Sequence, residues 1–289
     1  MAETISLCHH RTTVMETDDA KRLQCLEVWG GNRFVSTSVV LPGMDAWIYS
    51  LPADGEQSVG GGDVHYVSSC AAGALTRLLV ADVAGHGASA SDTARRLRRM
   101  MQAHVNFHTQ TRFVRALNRE FTALARSERF ATAVAFTYDA PVNRLLVCNA
   151  GHPLPVIYRA RDRRWSALES KEAGNLPLGI EDVEYQQFSP PIEFGDLVLC
   201  YTDAMLECRR GEEMLGQNGL LSILQTLDTA KPQLLILELI DAMKRDGWAV
   251  DDDLTLLLFR PNGKRRKVFW YEHFVVPFRL VKWVGLMLR

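Results

Sequence analysis

Apolar and polar positions along this chain fall into runs of two different periods. Leu75–Val83 is a mainly apolar stretch of strand length, interrupted by Thr76, Arg77 and Asp82, that ends in the turn Gly85-His86-Gly87. Val35 to Leu51 reads as strands around the turn at Pro42-Gly43. Phe130–Tyr138 and Arg144–Cys148 flank the turn residues 139–143 and predict a hairpin. Leu154–Tyr158, Leu197–Tyr201 and Leu254–Phe259 read as further short strands. From Ser89 the period changes. Ala90, Ala94, Leu97, Met101 and Val105 recur at helical spacing, with Arg95, Arg96, Arg98 and Arg99 mostly outside the stripe. Arg112–Arg126 repeats the pattern with Phe113, Leu117, Phe121 and Leu124, and two more helices are predicted near 217–227 and 232–246. Residues 1–35 are mixed in character and predict no element.

The predicted order is strands, two helices, strands, two helices, strand. Hairpins outnumber strand–helix alternations, so the pattern fits an α+β domain of antiparallel layers better than a doubly wound parallel sheet. With 289 residues the chain can hold one large domain or two small ones.

Charge is unevenly spread. Residues 263–289 carry seven Lys/Arg against Glu272, a net +6, which leaves −7 for residues 1–262 out of a total of −1. The body is therefore not a nucleic-acid binder, whereas the tail suits an anionic surface. That tail interleaves Arg and Lys with Phe269, Trp270, Tyr271, Phe274, Phe278 and Trp283. It reads either as a membrane-interface segment or as one that packs on its own domain or on a dimer partner. Cys8, Cys25, Cys70, Cys148, Cys200 and Cys208 lack paired spacing, which predicts reduced thiols and a cytoplasmic protein, at most peripheral to the inner face of the membrane. No CxxC or HxxxH spacing supports zinc, no signal-peptide core opens the chain, and no apolar run reaches spanning length.

The chemistry-bearing pattern is acidic and glycine-rich. Gly60-Gly61-Gly62-Asp63 is followed by Asp82-Val83-Ala84-Gly85-His86-Gly87, and downstream by Tyr201-Thr202-Asp203 and Asp251-Asp252-Asp253. Each acid adjoins a strand-like run. Four aspartates without Cys/His ligands suit hard, oxygen-seeking ions such as Mg²⁺ or Mn²⁺. Glycines beside them permit tight turns with exposed carbonyls. Each aspartate taken alone reads equally as a turn or cap residue. His86 is either a phosphate contact or a turn histidine. His152 is either a general acid or a residue shaping its loop. Asp251 and Asp253 are either acids that support the ligands, secondary metal groups, or simply solvated.

The ordered set resembles the bacterial PPM-type serine/threonine phosphatases of the RsbU/SpoIIE group, relatives of the protein phosphatase 2C enzymes. Eight motifs carry the resemblance: Pro42-Gly43, Gly61-Gly62-Asp63, Asp82–Gly87, Asn149–Pro153, Pro177-Leu178-Gly179, Gly195-Asp196, Tyr201–Ala204 and Asp252–Thr255. It implies a four-layer αββα sandwich of two antiparallel sheets flanked by helices. It also implies a site for two Mn²⁺ or Mg²⁺ ions held by Asp63, Asp82, the Val83 carbonyl, Asp203 and Asp252, with His86 near the substrate. The implied reaction is attack of a metal-bridging hydroxide on phosphoserine or phosphothreonine. The implied substrate is a phosphorylated STAS-type antagonist of an anti-sigma factor. Residues 1–37 then read as an N-terminal extension, 38–262 as the phosphatase domain and 263–289 as the basic aromatic tail. A homodimer is compatible with this reading.

Three positions depart from the group's pattern: Tyr66 stands where a second acid is usual, Ala204 replaces a glycine and Ala84 a serine. Tyr66 and Ala204 motivate an alternative, a non-catalytic phosphatase fold that binds a phosphoprotein partner. A third reading is a metal hydrolase of small phosphate esters.

Overall fold

The computed structural model describes residues 21–23, 28–70, 74–85, 87–104, 109–124, 130–169 and 174–263. The tail 264–289, most of the N-terminal extension and His86 lie outside the described residues. The strands before the first helix are β1 (Lys21–Arg22), β2 (Val28–Gly31), β3 (Val35–Leu41), β4 (Met44–Leu51), β5 (Asp63–Cys70) and β6 (Leu75–Val83). Helices α1 (Gly87–Ala103) and α2 (Gln110–Leu124) follow. Then come β7 (Ala131–Asp139), β8 (Arg144–Ala150), β9 (Val156–Arg159), β10 (Arg164–Ala167) and β11 (Leu197–Tyr201). A one-turn helix α3 (Ala204–Glu207) precedes the hairpin β12 (Arg209–Arg210) and β13 (Glu213–Met214). Helices α4 (Gly216–Gln225) and α5 (Pro232–Arg245) and strand β14 (Leu254–Pro261) complete the fold.

Two large sheets form the body, one in the order β1-β3-β4-β14-β11-β9-β10 and the other β2-β5-β6-β7-β8. Pairing is antiparallel throughout both, except where the two-residue β1 lies parallel to β3. The long apolar runs are explained by burial on both faces. On β14, Leu257 and Phe259 face the other sheet, while Leu254, Leu256 and Leu258 face α4 and α5. On β6, Leu78 and Val80 face the inter-sheet layer, while Leu79, Ala81 and Val83 meet α1 and α2. A strand covered on both sides has no polar alternation to show. Each helix pair supplies the matching stripe: Ala94, Leu97 and Met101 with Phe113, Leu117 and Phe121 on one side, and Leu220, Leu224, Leu235, Leu239 and Met243 on the other. The result is the expected αββα sandwich.

The differences from the sequence reading are local. β5 escapes a hydrophobic pattern because His65, Ser68 and Ser69 are buried alongside Val64, Tyr66 and Val67. β2 arises within a stretch for which the sequence predicted nothing, and it owes its form to pairing with β5. α1 begins at Gly87 rather than Ser89, and β9 at Val156 rather than Leu154.

Phe259 is fully buried and packs edge-on against Phe136, with ring centroids 5.0 Å apart, so it ties the two sheets together. Phe259→Ala is expected to lower the unfolding free energy by about 3–5 kcal/mol, the usual result of emptying a large core site. Urea denaturation followed by tryptophan fluorescence measures it; a loss below about 1 kcal/mol would show the sheets do not depend on this contact.

Candidate active site

The register of β5 and β6 sets Asp63 directly opposite Asp82. Alternation then turns both toward the layer between the sheets, since Val67 on β5 and Leu78 and Val80 on β6 face that way. At this end the opposite sheet contributes the residues just after β11 and just before β14. Tyr201 pairs with Leu256, and the pairing runs on as Thr202 N–H donates to the Thr255 carbonyl at 3.1 Å. Asp203 and Asp252 are thereby delivered side by side. Four acids from four separate stretches of sequence thus meet at one edge of the sandwich.

Asp63 is almost wholly buried, and the Thr202 hydroxyl donates to its Oδ2 at 2.9 Å. That hydroxyl oxygen in turn accepts from Thr255 N–H at 2.9 Å, and Thr255 Oγ1 lies 2.9 Å from Ser50 Oγ. The Asp63 carboxyl is held well above the ordinary range, first by burial, then by the charges of Asp82 and Asp253, against which the Thr255 and Thr202 hydrogen bonds act. Asp82 is pushed up to about 7, first by burial and then by Asp203, Asp252, Asp253 and Glu207. Both shifts report burial first and close-set negative charge second. The donor set is all oxygen, and it fits a hard divalent cation, whose charge would offset that repulsion. Among the described residues, no three ligating side chains are already drawn around a single point. Asp203 Oδ1 caps α3 by accepting from Ala204 N–H at 2.9 Å, and Asp252 Oδ1 accepts from Asp253 N–H at 2.7 Å.

The turn before Asp63 is fixed from two sides. Gly61 N–H donates to the Asn32 carbonyl at 2.8 Å, and Asn32 Nδ2 donates to the Gly61 carbonyl at 3.0 Å and to Ser91 Oγ on α1 at 3.1 Å. Asp253 accepts from Gly62 N–H at 2.5 Å and from Ala53 N–H at 2.6 Å. A Cβ on Gly61 would stand 2.4 Å from the Asp253 carboxylate, so only glycine leaves room. Val83 reaches the same turn: its N–H donates to the Gly62 carbonyl at 3.4 Å, and its own carbonyl lies 3.2 Å from where a Gly62 Cβ would be.

The other positions singled out in the sequence have different surroundings, His152 next to the cluster through Thr132, the strand partner of Asp82. His152 is buried, bonded through Nδ1 to Thr132 Oγ1 at 2.8 Å, and its backbone N–H donates to Asn149 Oδ1 at 2.7 Å. Burial pushes its imidazole down to about 3, against a hydrogen bond with the Tyr201 backbone, and so favours the neutral ring. Tyr66 faces the helix layer, its ring stacked 6.3 Å from Phe113, on the side opposite Asp63. An acid at that position would therefore point away from the site. Ala204 opens α3, and its backbone avoids the left-handed region, so no glycine is required there. Asp251 is exposed. Conversely, Thr202 and Thr255 stood inside the quoted motifs without a role of their own, and Asn32 and Glu207 were not singled out by sequence reasoning. Glu207 had one available signal, its i+4 spacing from Asp203, which places both on one face of α3.

Comparison with known proteins identifies the family and the fold. The family profile described as Stage II sporulation protein E (SpoIIE) matches residues 72–262. The chain belongs to this family. It is a member of the RsbU/SpoIIE group of PPM-type phosphatases, and its sheets and helices are those of the protein phosphatase 2C fold. It is similar to phosphoserine phosphatase RsbU of Bacillus subtilis (strain 168), with 24% identity over 221 residues, or 75% of this chain and 63% of that protein. The chain thus spans under two thirds of that relative's length. The crystal structure of the RsbU and RsbW domains of Rv1364c from Mycobacterium tuberculosis aligns with a TM-score of 0.68 and 26% identity, covering 88% of this chain and 71% of that one. The catalytic domain of the serine/threonine protein phosphatase PstP, in complex with two manganese ions, aligns with a TM-score of 0.53 and 19% identity, covering 75% of this chain and 97% of that one.

The raised Asp82 pKa has a consequence for the metal-free SpoIIE-family chain. Its folded value near 7 lies above the unfolded value near 4, so the folded state binds the extra proton between them. The stability from this group is complete below about pH 4 and is lost as pH rises through about 7. In EDTA, Asp82→Asn is therefore expected to melt higher than the native chain at pH 8, with the gap closing toward pH 4. A gap independent of pH, measured by differential scanning fluorimetry, would contradict the electrostatic account.

Proposed function

We propose that this chain is a metal-dependent protein serine/threonine phosphatase that hydrolyses phosphoserine or phosphothreonine on a bacterial signalling protein. One observation carries the reading: Asp63, Asp82, Asp203 and Asp252 converge from both sheets on a single edge, where Asp82 is pushed up to about 7 by burial and the surrounding acids. Asp63, Asp82, Asp203, Asp252 and the Val83 carbonyl would hold two Mn²⁺ or Mg²⁺ ions. When bound, such ions supply a water acidic enough to be a nucleophile at neutral pH and positive charge for the phosphoryl oxygens.

The chain's own residues do the rest. Thr202 and Thr255 both hydrogen-bond the Asp63 carboxylate and hold it in place. Asp82 stands across from it on the neighbouring strand, at a register that backbone hydrogen bonds hold rigidly. The edge is open toward solvent, with Asp252 exposed, as a site acting on a folded phosphoprotein must be.

The substrate we propose is a phosphorylated STAS-type antagonist of an anti-sigma factor. Support comes from the relative named phosphoserine phosphatase RsbU and from a similar chain that carries an RsbW domain beside its RsbU domain. Against the non-catalytic alternative, the Tyr66 side chain leaves the opposite face of β5 from Asp63, and the Ala204 backbone needs no glycine. No described helix is long and apolar enough to cross a membrane; the proposed peripheral contact through residues 264–289 rests on their sequence alone.

Phosphate release from a phosphoserine peptide is expected to require Mn²⁺ or Mg²⁺ and to stop in EDTA. Asp82→Asn is expected to lower it by about 100-fold or more, the scale of losing a group that organises charge in a transition state. Turnover that survives both EDTA and the substitution would reject the proposal.

A further inference from the structure

Asp253 is an acid for which the sequence left three roles open: support, a secondary metal group, or solvation. Its two oxygens are both engaged, Oδ1 by Ala53 N–H at 2.6 Å and Oδ2 by Gly62 N–H at 2.5 Å. The first donor belongs to the loop between β4 and β5, in reach of one sheet, and the second to the turn that launches β5 in the other. The carboxylate also fills the space that a Gly61 side chain would need, with all three of its atoms 2.4 Å from that Cβ position. A group so occupied offers little of itself to a cation.

We infer that Asp253 is a positioning residue: it clamps the Gly61-Gly62 turn to the Ala53 loop, and so sets the approach of Asp63 to Asp82, without itself ligating an ion. The inference rests on the metal-dependent reading above. It assigns different work to adjacent acids, Asp252 facing the site and Asp253 bracing it from behind. It also explains the glycine at 61. That residue lies outside the left-handed region, so glycine is required there for the closeness of the carboxylate and not for backbone freedom.

A carboxylate is needed because two N–H groups converge on it. Asn keeps the shape but replaces one acceptor with a donor, so one of the two bonds must fail. Gly61→Ala attacks the same contact from the other side and guards against a misfolded Asp253 variant. The test measures Mn²⁺ binding to the metal-free protein by calorimetry and amide exchange over residues 53–62 by mass spectrometry. It uses native chain, D253N, G61A, D253A and D253A/G61A, each checked for cooperative melting. D253N and G61A are each expected to weaken Mn²⁺ binding about tenfold, the scale of losing a group that orients a ligand, with unchanged stoichiometry and faster exchange. In the D253A background, where the carboxylate is gone, G61A is expected to add nothing.

Stoichiometry that falls by one while exchange stays slow would make Asp253 a ligand and overturn the inference. Unchanged affinity and exchange would show the clamp to be idle. A full G61A effect persisting in D253A would also overturn it. Native chain that binds no Mn²⁺ would reject the metal-dependent reading instead, and the exchange arm would still decide whether Asp253 holds the turn.

Discussion

Carboxylates buried side by side repel one another, and much of this edge of the protein is arranged around that repulsion. Asp63 and Asp82 face each other across neighbouring strands, and Asp203, Asp252, Asp253 and Glu207 add charge from the second sheet. Nothing local favours such a cluster. It is held by the backbone register of two sheets whose stability lies elsewhere, in three apolar layers that together run the length of the molecule. Strain at a functional edge is tolerated when the rest of the fold over-determines it.

The supports are of two kinds. Thr202, Thr255 and Ser50 form a hydroxyl chain that leads from Asp63 into the opposite sheet. Asn32 and Asp253 hold the glycine turn, and Asn32 reaches Ser91, so the position of α1 is tied to the same turn. The ends of both sheets and one helix are thereby coupled within a few residues of the acids. A change in any of these partners would alter the acids' spacing, and with it their hold on a cation.

Much of this was legible in the sequence, and the reasons are physical. Strands such as Leu75–Val83 and Leu254–Pro261 are buried on both faces, so their apolar runs were unmistakable. The helices carried clean stripes. The acids stood out because glycine and aspartate punctuate strand ends. β5 was not legible, since its buried His65, Ser68 and Ser69 are polar, and neither was β2, which exists only as β5's partner. The roles of Thr202 and Thr255, which stood inside the motifs, and of Asn32 were invisible for a related reason. Their roles depend on which backbone group lies beside them after folding, and sequence spacing carries no trace of that. Tyr66 shows the converse: a departure that looked chemical proved to concern helix packing, because its side chain leaves the opposite face of the strand from Asp63.

The central claim is that this acidic edge exists to hold divalent cations, and proton release on binding tests it most directly. Because Asp82 is pushed up to about 7 and Asp63 is raised as well, binding of Mn²⁺ near neutral pH should displace protons from the cluster. Calorimetric titration of the metal-free chain at pH 7 in buffers of different ionisation enthalpy reads that number. The account predicts two ions bound with net proton release, which Asp82→Asn diminishes. Binding without proton release, or release that the substitution leaves unchanged, would contradict it.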